Sequence, residues 1–157
     1  MRCMSKAALP RRFEDSLGYL LHHLMYAFRQ GLARRCAEQR YTITHEEIMV
    51  LMLLRQDDGL TQTQLAEVLA KDKAVITRLL NGLVKKDYVE RLPDKSDRRL
   101  VRGFLTKEGT GLAQHVFPMV LDYVAEALNG VDQKEFDSTF RVLRQILGNL
   151  QQLNGNT

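Results

Sequence analysis

The side chains best suited to chemistry in this 157-residue sequence are basic, and they concentrate in the middle of the chain. Residues 71–102 contain ten lysines and arginines but five acids, so this window carries a charge of +5 while the whole chain carries +4. A cationic centre between nearly neutral arms is typical of a surface that binds a polyanion such as a nucleic acid. A charged face that is simply solvated is the alternative, and charge alone does not separate the two.

Side chains for catalysis or metal binding do not form a known pattern. The sequence has no glycine-rich phosphate loop, no Gly-x-Ser-x-Gly motif and no nucleophile paired with a base. His22 and His23 are adjacent, so on a helix they would point about 100° apart and could not easily share one ion. We therefore predict that the chain is not an enzyme and has no metal site and no cofactor.

Length and composition bound the class of protein. A chain of this length that is 45% apolar and 27% charged is typical of one folded domain rather than of a disordered segment. No run of about 18 apolar residues is present, and Glu14 and Asp15 precede the first apolar run, which disfavours a membrane span and a secretory signal. Cys3 and Cys36 are too few for a disulfide framework, and Cys36 is either a packed or a redox-active thiol. We expect a cytoplasmic protein with no membrane partner.

The basic window lies on predicted helices that begin with capping signals. Apolar residues at steps of three and four predict a first helix over 13–38. Thr44 with Glu47, and Thr61 with Gln64, match the capping box, so a second helix should cover 45–55 and a short third helix should end near residue 69. Residues 70–72 form a tight connection, and Asp72 should cap a fourth helix over 73–86, which buries Val75 or Ile76 with Leu79, Leu80 and Leu83. Two helices joined in this way form a helix-turn-helix, whose second helix usually enters the major groove of DNA.

The apolar period then changes to two, which predicts a β-hairpin. We place strands at 88–92 and 98–105 around turn residues 93–97, with an uncertain register for the second strand. A hairpin with a basic tip after such a helix is a wing. Thr106 can cap a fifth helix to about residue 128, and Asp132 opens a sixth, whose apolar seam is Phe136, Phe140, Leu143, Leu147 and Leu150.

The predicted fold is mostly α with a small β-hairpin wing, as a single domain over 1–157. A winged helix-turn-helix lobe at 43–106 is flanked by dimerisation helices at 13–42 and 107–153. The outer helices carry more apolar surface than a lobe of this size can cover, so we predict a homodimer. Packing of the first, fifth and sixth helices within one chain is the alternative.

The candidate DNA-binding residues lie on three parts of this lobe. Arg78 on the fourth helix could contact guanine or clamp a phosphate, and free N–H groups and hydroxyls at the start of the third helix suit a phosphate. In the wing, Arg98 or Arg99 could reach the minor groove, with Asp97 holding the guanidinium by a bidentate pair. The predicted DNA-binding residues are Thr61, Gln62, Thr63, Lys73, Ala74, Thr77, Arg78, Asn81, Arg91, Asp97, Arg98 and Arg99. A small ligand could bind where the dimerisation helices meet the lobe, lined by His22, Tyr26 and Arg29.

Over about residues 13–150 the chain resembles the MarR (multiple antibiotic resistance regulator) family. The segments that carry the resemblance are DKAVITRLL at 72–80, LVKKDYVER at 83–91, DKSDRR at 94–99 and LTKEG at 105–109. The resemblance implies a dimeric winged helix-turn-helix transcription factor, usually a repressor of a pseudo-palindromic operator and often released by a small phenolic or lipophilic ligand. It also implies that Arg99 enters the minor groove and that Asp97 braces it.

The sequence departs from the family pattern at a few positions. Ala74 stands where Ser or Thr is frequent, and Asp87 replaces the usual glycine before the wing, although Asp tolerates a left-handed conformation. Gly18 stands where the peroxide-sensing branch has a cysteine, and the paired histidines of the zinc-sensing branch are absent. A winged-helix module that binds an acidic protein, and a small-molecule binding protein or enzyme with vestigial DNA-binding elements, are the alternative functions.

Overall fold

The computed structural model describes residues 12–155, so Cys3 lies outside the described residues. This part of the chain contains six α-helices and three β-strands after a short 3₁₀ turn. The helices are α1 (Leu17–Glu38), α2 (His45–Gln56), α3 (Gln62–Leu69), α4 (Lys73–Lys85), α5 (Lys107–Ala127) and α6 (Gln133–Leu153), and the strands are β1 (Leu60–Thr61), β2 (Val89–Pro93) and β3 (Val101–Leu105). A mostly helical chain with a small β wing confirms the predicted fold class.

The two predicted capping boxes are present and set the starts of α2 and α3. The Thr44 hydroxyl accepts a hydrogen bond from the Glu47 N–H at 3.2 Å, and the Glu47 carboxylate accepts one from the Thr44 N–H at 2.8 Å. Thr61 and Gln64 make the same reciprocal pair at 3.3 and 2.9 Å. Each box satisfies two helix N–H groups that would otherwise lack a partner, so both helices begin where the sequence places them.

One predicted helix start and one predicted capping bond need correction, although α4 begins at Lys73 as predicted. The first helix begins at Leu17 and not at residue 13, because the Ser16 hydroxyl caps it by accepting a hydrogen bond from the Tyr19 N–H at 3.2 Å. Asp72 has the extended backbone of an N-cap but makes no capping hydrogen bond through its side chain. The N–H of Val75 donates instead to the Asp72 carbonyl oxygen at 2.9 Å, so the backbone of Asp72, and not its carboxylate, satisfies this N–H group.

The sheet is larger than the predicted hairpin. Its antiparallel strands lie in the order β1-β3-β2, and β2 pairs with β3 from Val89 opposite Leu105 to Pro93 opposite Val101. Strand β1 was not predicted, because two residues are too few to show a period. The second wing strand begins at Val101 rather than Arg98, since residues 98–100 belong to a loop that Leu100 closes by bonding Asp94 and Asp97 through its backbone.

The core of the lobe is built from apolar faces of α2, α3 and α4 packed against the sheet. Of the predicted α4 face, Ile76, Leu80 and Leu83 are buried, while Val75 and Leu79 are half-buried. Further buried side chains of this unit are Leu32, Cys36, Val50, Leu51, Leu54, Leu65, Val89, Leu112, Ala113 and Val116. Burial raises the pKa of the Cys36 thiol, which favours the packed, unreactive state over a redox role because the thiolate is the nucleophile.

The start of α5 lies directly against the end of the lobe. Thr106 caps it as predicted by accepting a hydrogen bond from the Gly109 N–H at 2.9 Å, and its hydroxyl donates to the Asp87 carbonyl oxygen at 2.6 Å. A Cβ atom at Gly109 would lie 1.9 Å from the Tyr88 carbonyl oxygen. Only glycine therefore fits at this point without moving the helix.

The described residues form two compact units that divide between Val120 and Leu121, inside α5. In the first unit α1 leaves an apolar stripe in solvent, including Leu20 and Leu24, which are 62% and 60% exposed. In the second unit no residue of α6 is buried, and Phe140 is 46% exposed with the Arg144 guanidinium 4.9 Å above its ring. Among the described residues no helix is both long and apolar enough to cross a lipid bilayer.

Candidate nucleic-acid interface

The polar side chains predicted on α4 share its solvent face. Lys73, Ala74, Arg78 and Asn81 are exposed. Ala74, Arg78 and Asn81 lie on the side of the helix opposite its buried apolar residues, while Lys73 is exposed at the start of the helix. Lys73 and Arg78 add two positive charges to the exposed surface of α4. A helix with a free cationic and amide-bearing side fits the dimensions and the hydrogen-bonding pattern of a DNA major groove.

The start of α3 is tied to the middle of α4 by side chains. The Gln62 amide donates to the Thr77 hydroxyl at 3.4 Å, and that hydroxyl donates to the Lys73 carbonyl oxygen at 2.8 Å. Gln62 and Thr63 remain partly exposed. Thr61 differs from its prediction as a phosphate ligand, because it is 8% exposed and its hydroxyl is already bonded to Gln64 within the cap.

A second link joins α4 to the wing. The Arg91 guanidinium, on β2, donates to the Asn81 side-chain oxygen at 2.8 Å. Arg91 is half-buried, and within residues 12–155 its Nε atom has no hydrogen-bond partner. The structure thus brings together two predicted DNA-binding residues that lie ten positions apart in the sequence.

The wing loop displays Arg98 and Arg99, which are both exposed. The predicted brace between Asp97 and an arginine guanidinium is corrected: the Asp97 carboxylate accepts a hydrogen bond from the backbone N–H of Arg99 at 3.0 Å. The Asp97 carbonyl oxygen also accepts a hydrogen bond from the Leu100 N–H at 2.9 Å. Asp97 therefore shapes the backbone from which Arg98 and Arg99 extend.

Asp94 and Arg102, neither of which was predicted as a site residue, form an ion pair within the wing. Asp94 is buried, and its carboxylate pairs with the Arg102 guanidinium. Hydrogen bonds from the Ser96 side chain, from Arg102 and from two backbone N–H groups hold the pKa of Asp94 well below its usual range. An aspartate after proline in a turn and an arginine in the return strand were visible in the sequence, but their pairing depends on the strand register.

A cavity of about 220 Å³ lies between α1, α2 and the turn that joins α3 to α4. Of the predicted ligand residues Arg29 lines it, with its guanidinium 3.2 Å from the Glu46 carboxylate. The prediction for His22 and Tyr26 is not supported at this cavity, because neither lines it and both point to solvent from α1. The lining side chains are Met25, Met49, Leu69, Leu79, Arg29, His45, Glu46 and Lys71.

His45 is one of the lining residues that were not predicted from the sequence. Its Nδ1 atom is buried without a hydrogen-bond partner in the described part of the chain. The Phe28 ring lies edge-on to the imidazole ring, with 5.8 Å between the ring centroids. Burial lowers the pKa of His45, and the positive charges of Arg29 and Lys71 act in the same direction against the opposing charge of Glu46. These effects favour the neutral form of the imidazole.

The known proteins to which this chain is similar include transcriptional regulators and members of the MarR family. The model of the MarR family matches residues 43–101. The HTH-type transcriptional regulator TtmR of Methylorubrum extorquens is 30% identical over 103 residues, which are 66% of this chain and 52% of TtmR, so the chain spans about half the length of that relative. A solved structure of a cysteine-to-serine mutant of Escherichia coli MarR with operator DNA has a TM-score of 0.77 at 29% identity, covering 83% of this chain and 93% of that one. A structure of Bordetella bronchiseptica BpsR, solved to explain how 6-hydroxynicotinic acid regulates its DNA binding, has the same fold (TM-score 0.78 at 20% identity, covering 87% and 96%).

Proposed function

We propose that the chain is a sequence-specific DNA-binding regulator of transcription of the MarR family, whose model matches residues 43–101. The observation that carries this proposal is the exposed polar face of α4, cross-linked through Asn81 and Arg91 to a wing that ends in Arg98 and Arg99. The relatives are named as transcriptional regulators, in agreement with the prediction that the chain is not an enzyme.

In this proposal α4 enters the major groove and the wing follows the neighbouring minor groove. Arg78 makes a two-pronged contact to guanine or clamps a phosphate, and Lys73 neutralises backbone charge. Arg98 or Arg99 enters the minor groove, where the negative potential attracts arginine. The start of α3, through Gln62 and Thr63, contacts phosphate and orients the lobe.

The proposed assembly is a homodimer. Apolar side chains along α1, and separately along α6, lie in solvent in the single chain, and burying such stripes is the usual driving force of obligate association. Two-fold symmetry then requires a pseudo-palindromic operator whose half-sites lie about 10 base pairs apart. A repressor acts by occupying such a site, and we propose that this protein represses transcription in this way.

The cavity beside α1 is the proposed site for a small phenolic or lipophilic effector. Its apolar lining suits a ring or alkyl body, while Arg29, Lys71 and the unpartnered His45 suit an acidic or hydroxyl group. BpsR, a protein of the same fold, has its DNA binding regulated by 6-hydroxynicotinic acid. An effector changes DNA binding only to the extent that it prefers one arrangement of the lobe over another.

Selection of binding sites from a random duplex pool tests the proposal. We expect a two-fold symmetric consensus, from which Arg78→Ala loses about 1–3 kcal/mol of discrimination at the contacted base pair. Arg99→Ala should weaken binding and lower the slope of log affinity against log salt by about 1. Arg34→Ala is the matched control, because it removes an equal charge from an exposed arginine of α1 that pairs with Glu38. A wild-type protein that prefers no sequence over bulk duplex would refute sequence-specific regulation and favour the protein-interaction alternative.

A further inference from the structure

Arg102 connects the wing loop to the opposite edge of the sheet. Its Nε group bonds the Asp94 carboxylate at the start of the loop, and its Nη1 group donates to the Gly59 carbonyl oxygen at 2.7 Å. Arg102 lies on the central strand, opposite Leu92 on one side and Thr61 on the other. One side chain therefore spans the sheet from the turn before β1 to the base of the wing loop.

Asp94 is the other half of this connection, and it organises the loop. One carboxylate oxygen accepts hydrogen bonds from the Ser96 N–H at 2.7 Å, the Ser96 hydroxyl at 2.5 Å and the Asp97 N–H at 2.8 Å, while the second oxygen takes Arg102. The carboxylate is 7% exposed. A buried carboxylate with this many donors fixes the backbone on both sides of it, because leaving any of those groups unpaired would be unfavourable.

We propose that Asp94 and Arg102 are positioning residues that set the direction in which Arg98 and Arg99 leave the wing. This inference rests on the proposed function, since it concerns how the wing meets DNA. The loop from residue 94 to residue 100 lies outside the strand ladder, and its backbone bonds join Asp94 to Leu100 and Leu100 to Asp97. Asp94, held by Arg102, adds bonds to the N–H groups of Ser96 and Asp97. The backbone that carries the two arginines is therefore ordered before DNA arrives, and less freedom is lost on binding.

The Asp94→Asn variant separates positioning from charge. Removing a carboxylate beside a polyanion should tighten DNA binding if charge alone matters. A positioning role predicts the opposite. The amide has one acceptor oxygen where the carboxylate has two, so it cannot accept from Arg102 and from both backbone N–H groups. Affinity for the selected operator should therefore fall by about tenfold. The slope of log affinity against log salt should stay unchanged, because no phosphate contact is removed.

Glu90→Gln is the matched control, since Glu90 is an exposed acid on β2 of the same wing. It removes the same charge without touching the loop, and its affinity should equal or exceed that of the wild type. Arg102→Gln should weaken binding as Asp94→Asn does, and the double variant should be no weaker than either single one, since the two side chains act as one unit. Ser96→Ala, in an exposed part of the loop, should give a smaller loss in the same direction without risk to the core.

Amide hydrogen exchange in the DNA-free protein makes the result independent of the proposed function. The N–H groups of Ser96 and Asp97 should exchange faster in Asp94→Asn than in the wild type, even if no operator is found. Unchanged exchange, or Asp94→Asn binding as tightly as Glu90→Gln, would overturn the positioning role. A salt slope lowered by about 1 in Arg102→Gln, with normal binding by Asp94→Asn, would instead make Arg102 a direct phosphate contact.

Discussion

Replacing Gly109 by alanine probes the contact between the start of α5 and the end of the winged-helix lobe. The added Cβ atom would lie 1.9 Å from the Tyr88 carbonyl oxygen and 2.8 Å from its carbonyl carbon. Because Cβ contacts below 3.0 Å essentially do not occur, the helix and Tyr88 must separate by at least about 1 Å. Both contacting atoms belong to backbone, so no side-chain rotation can relieve the clash.

The magnitude follows from what that separation breaks. The Thr106 N–H donates to the Tyr88 carbonyl oxygen at 3.2 Å and the Thr106 hydroxyl donates to the Asp87 carbonyl oxygen at 2.6 Å. Losing both bonds costs about 2 kcal/mol, and overpacking a buried position adds about 1–3 kcal/mol. Alanine returns about 1 kcal/mol through its higher helix propensity. The free energy of unfolding should therefore fall by about 2–4 kcal/mol.

Thermal unfolding followed by circular dichroism measures this change. For a chain of this size each kcal/mol lowers the Tm by about 2–4 °C, so Gly109→Ala should unfold about 4–16 °C below the wild type at equal protein concentration. Gly111→Ala is the control, because Gly111 lies two residues further along the same helix and a Cβ there meets nothing within 4 Å. That variant should be stabilised by about 0.5–1 kcal/mol. A Tm for Gly109→Ala within a degree of the wild type would refute the steric argument.

Three further substitutions test other features of the fold. Ala70 has a left-handed backbone (φ 48°) in the turn between α3 and α4, so Ala70→Gly should raise the free energy of unfolding by about 1 kcal/mol in denaturant titrations; a lower value would contradict strain there. The Lys86 ammonium bonds both oxygens of Glu47, which is 5% exposed, so Lys86→Ala leaves a buried carboxylate without its cation and should lower the free energy of unfolding by about 2–4 kcal/mol in the same titrations. Because burial lowers the pKa of His45 in the folded state, protonation favours unfolding, and stability should decrease as pH falls below about 6.5. His45→Gln should reduce that decrease between pH 7 and 5, and an identical pH profile for the variant would exclude His45 as its source.

Features of the fold that depend on near neighbours in sequence were predictable. The capping boxes at Thr44 and Thr61 join residues three apart, so their side-chain types identify them directly. Asp87 adopts the left-handed conformation (φ 59°) that its place before the wing requires. The left-handed Ala70 gave no such signal, because alanine is rarely chosen for that conformation and nothing in its neighbourhood indicates it.

Features that depend on strand register were not predictable. The pairing of Asp94 with Arg102 crosses a loop whose return strand begins three residues later than the pattern suggested. For the same reason Asp97 was assigned to a guanidinium when it bonds the backbone of Arg99. The lining of the cavity by His45 depends on how α1 packs on α2, which a helix-by-helix pattern does not specify.

The hydrogen bond between Asn81 and Arg91 has a consequence for how such a protein can diverge. It links α4 to β2, so under the proposed function a substitution of Asn81 that suits a new base also removes the hydrogen-bond acceptor of Arg91 in the wing. A substitution of Asn81 that changes the recognised DNA sequence therefore needs a second, compensating substitution on β2. Arg78 is exposed and makes no hydrogen bond of this kind in the described part of the chain, so position 78 can change alone. We therefore expect substitutions that alter the recognised sequence to arise at position 78 before position 81.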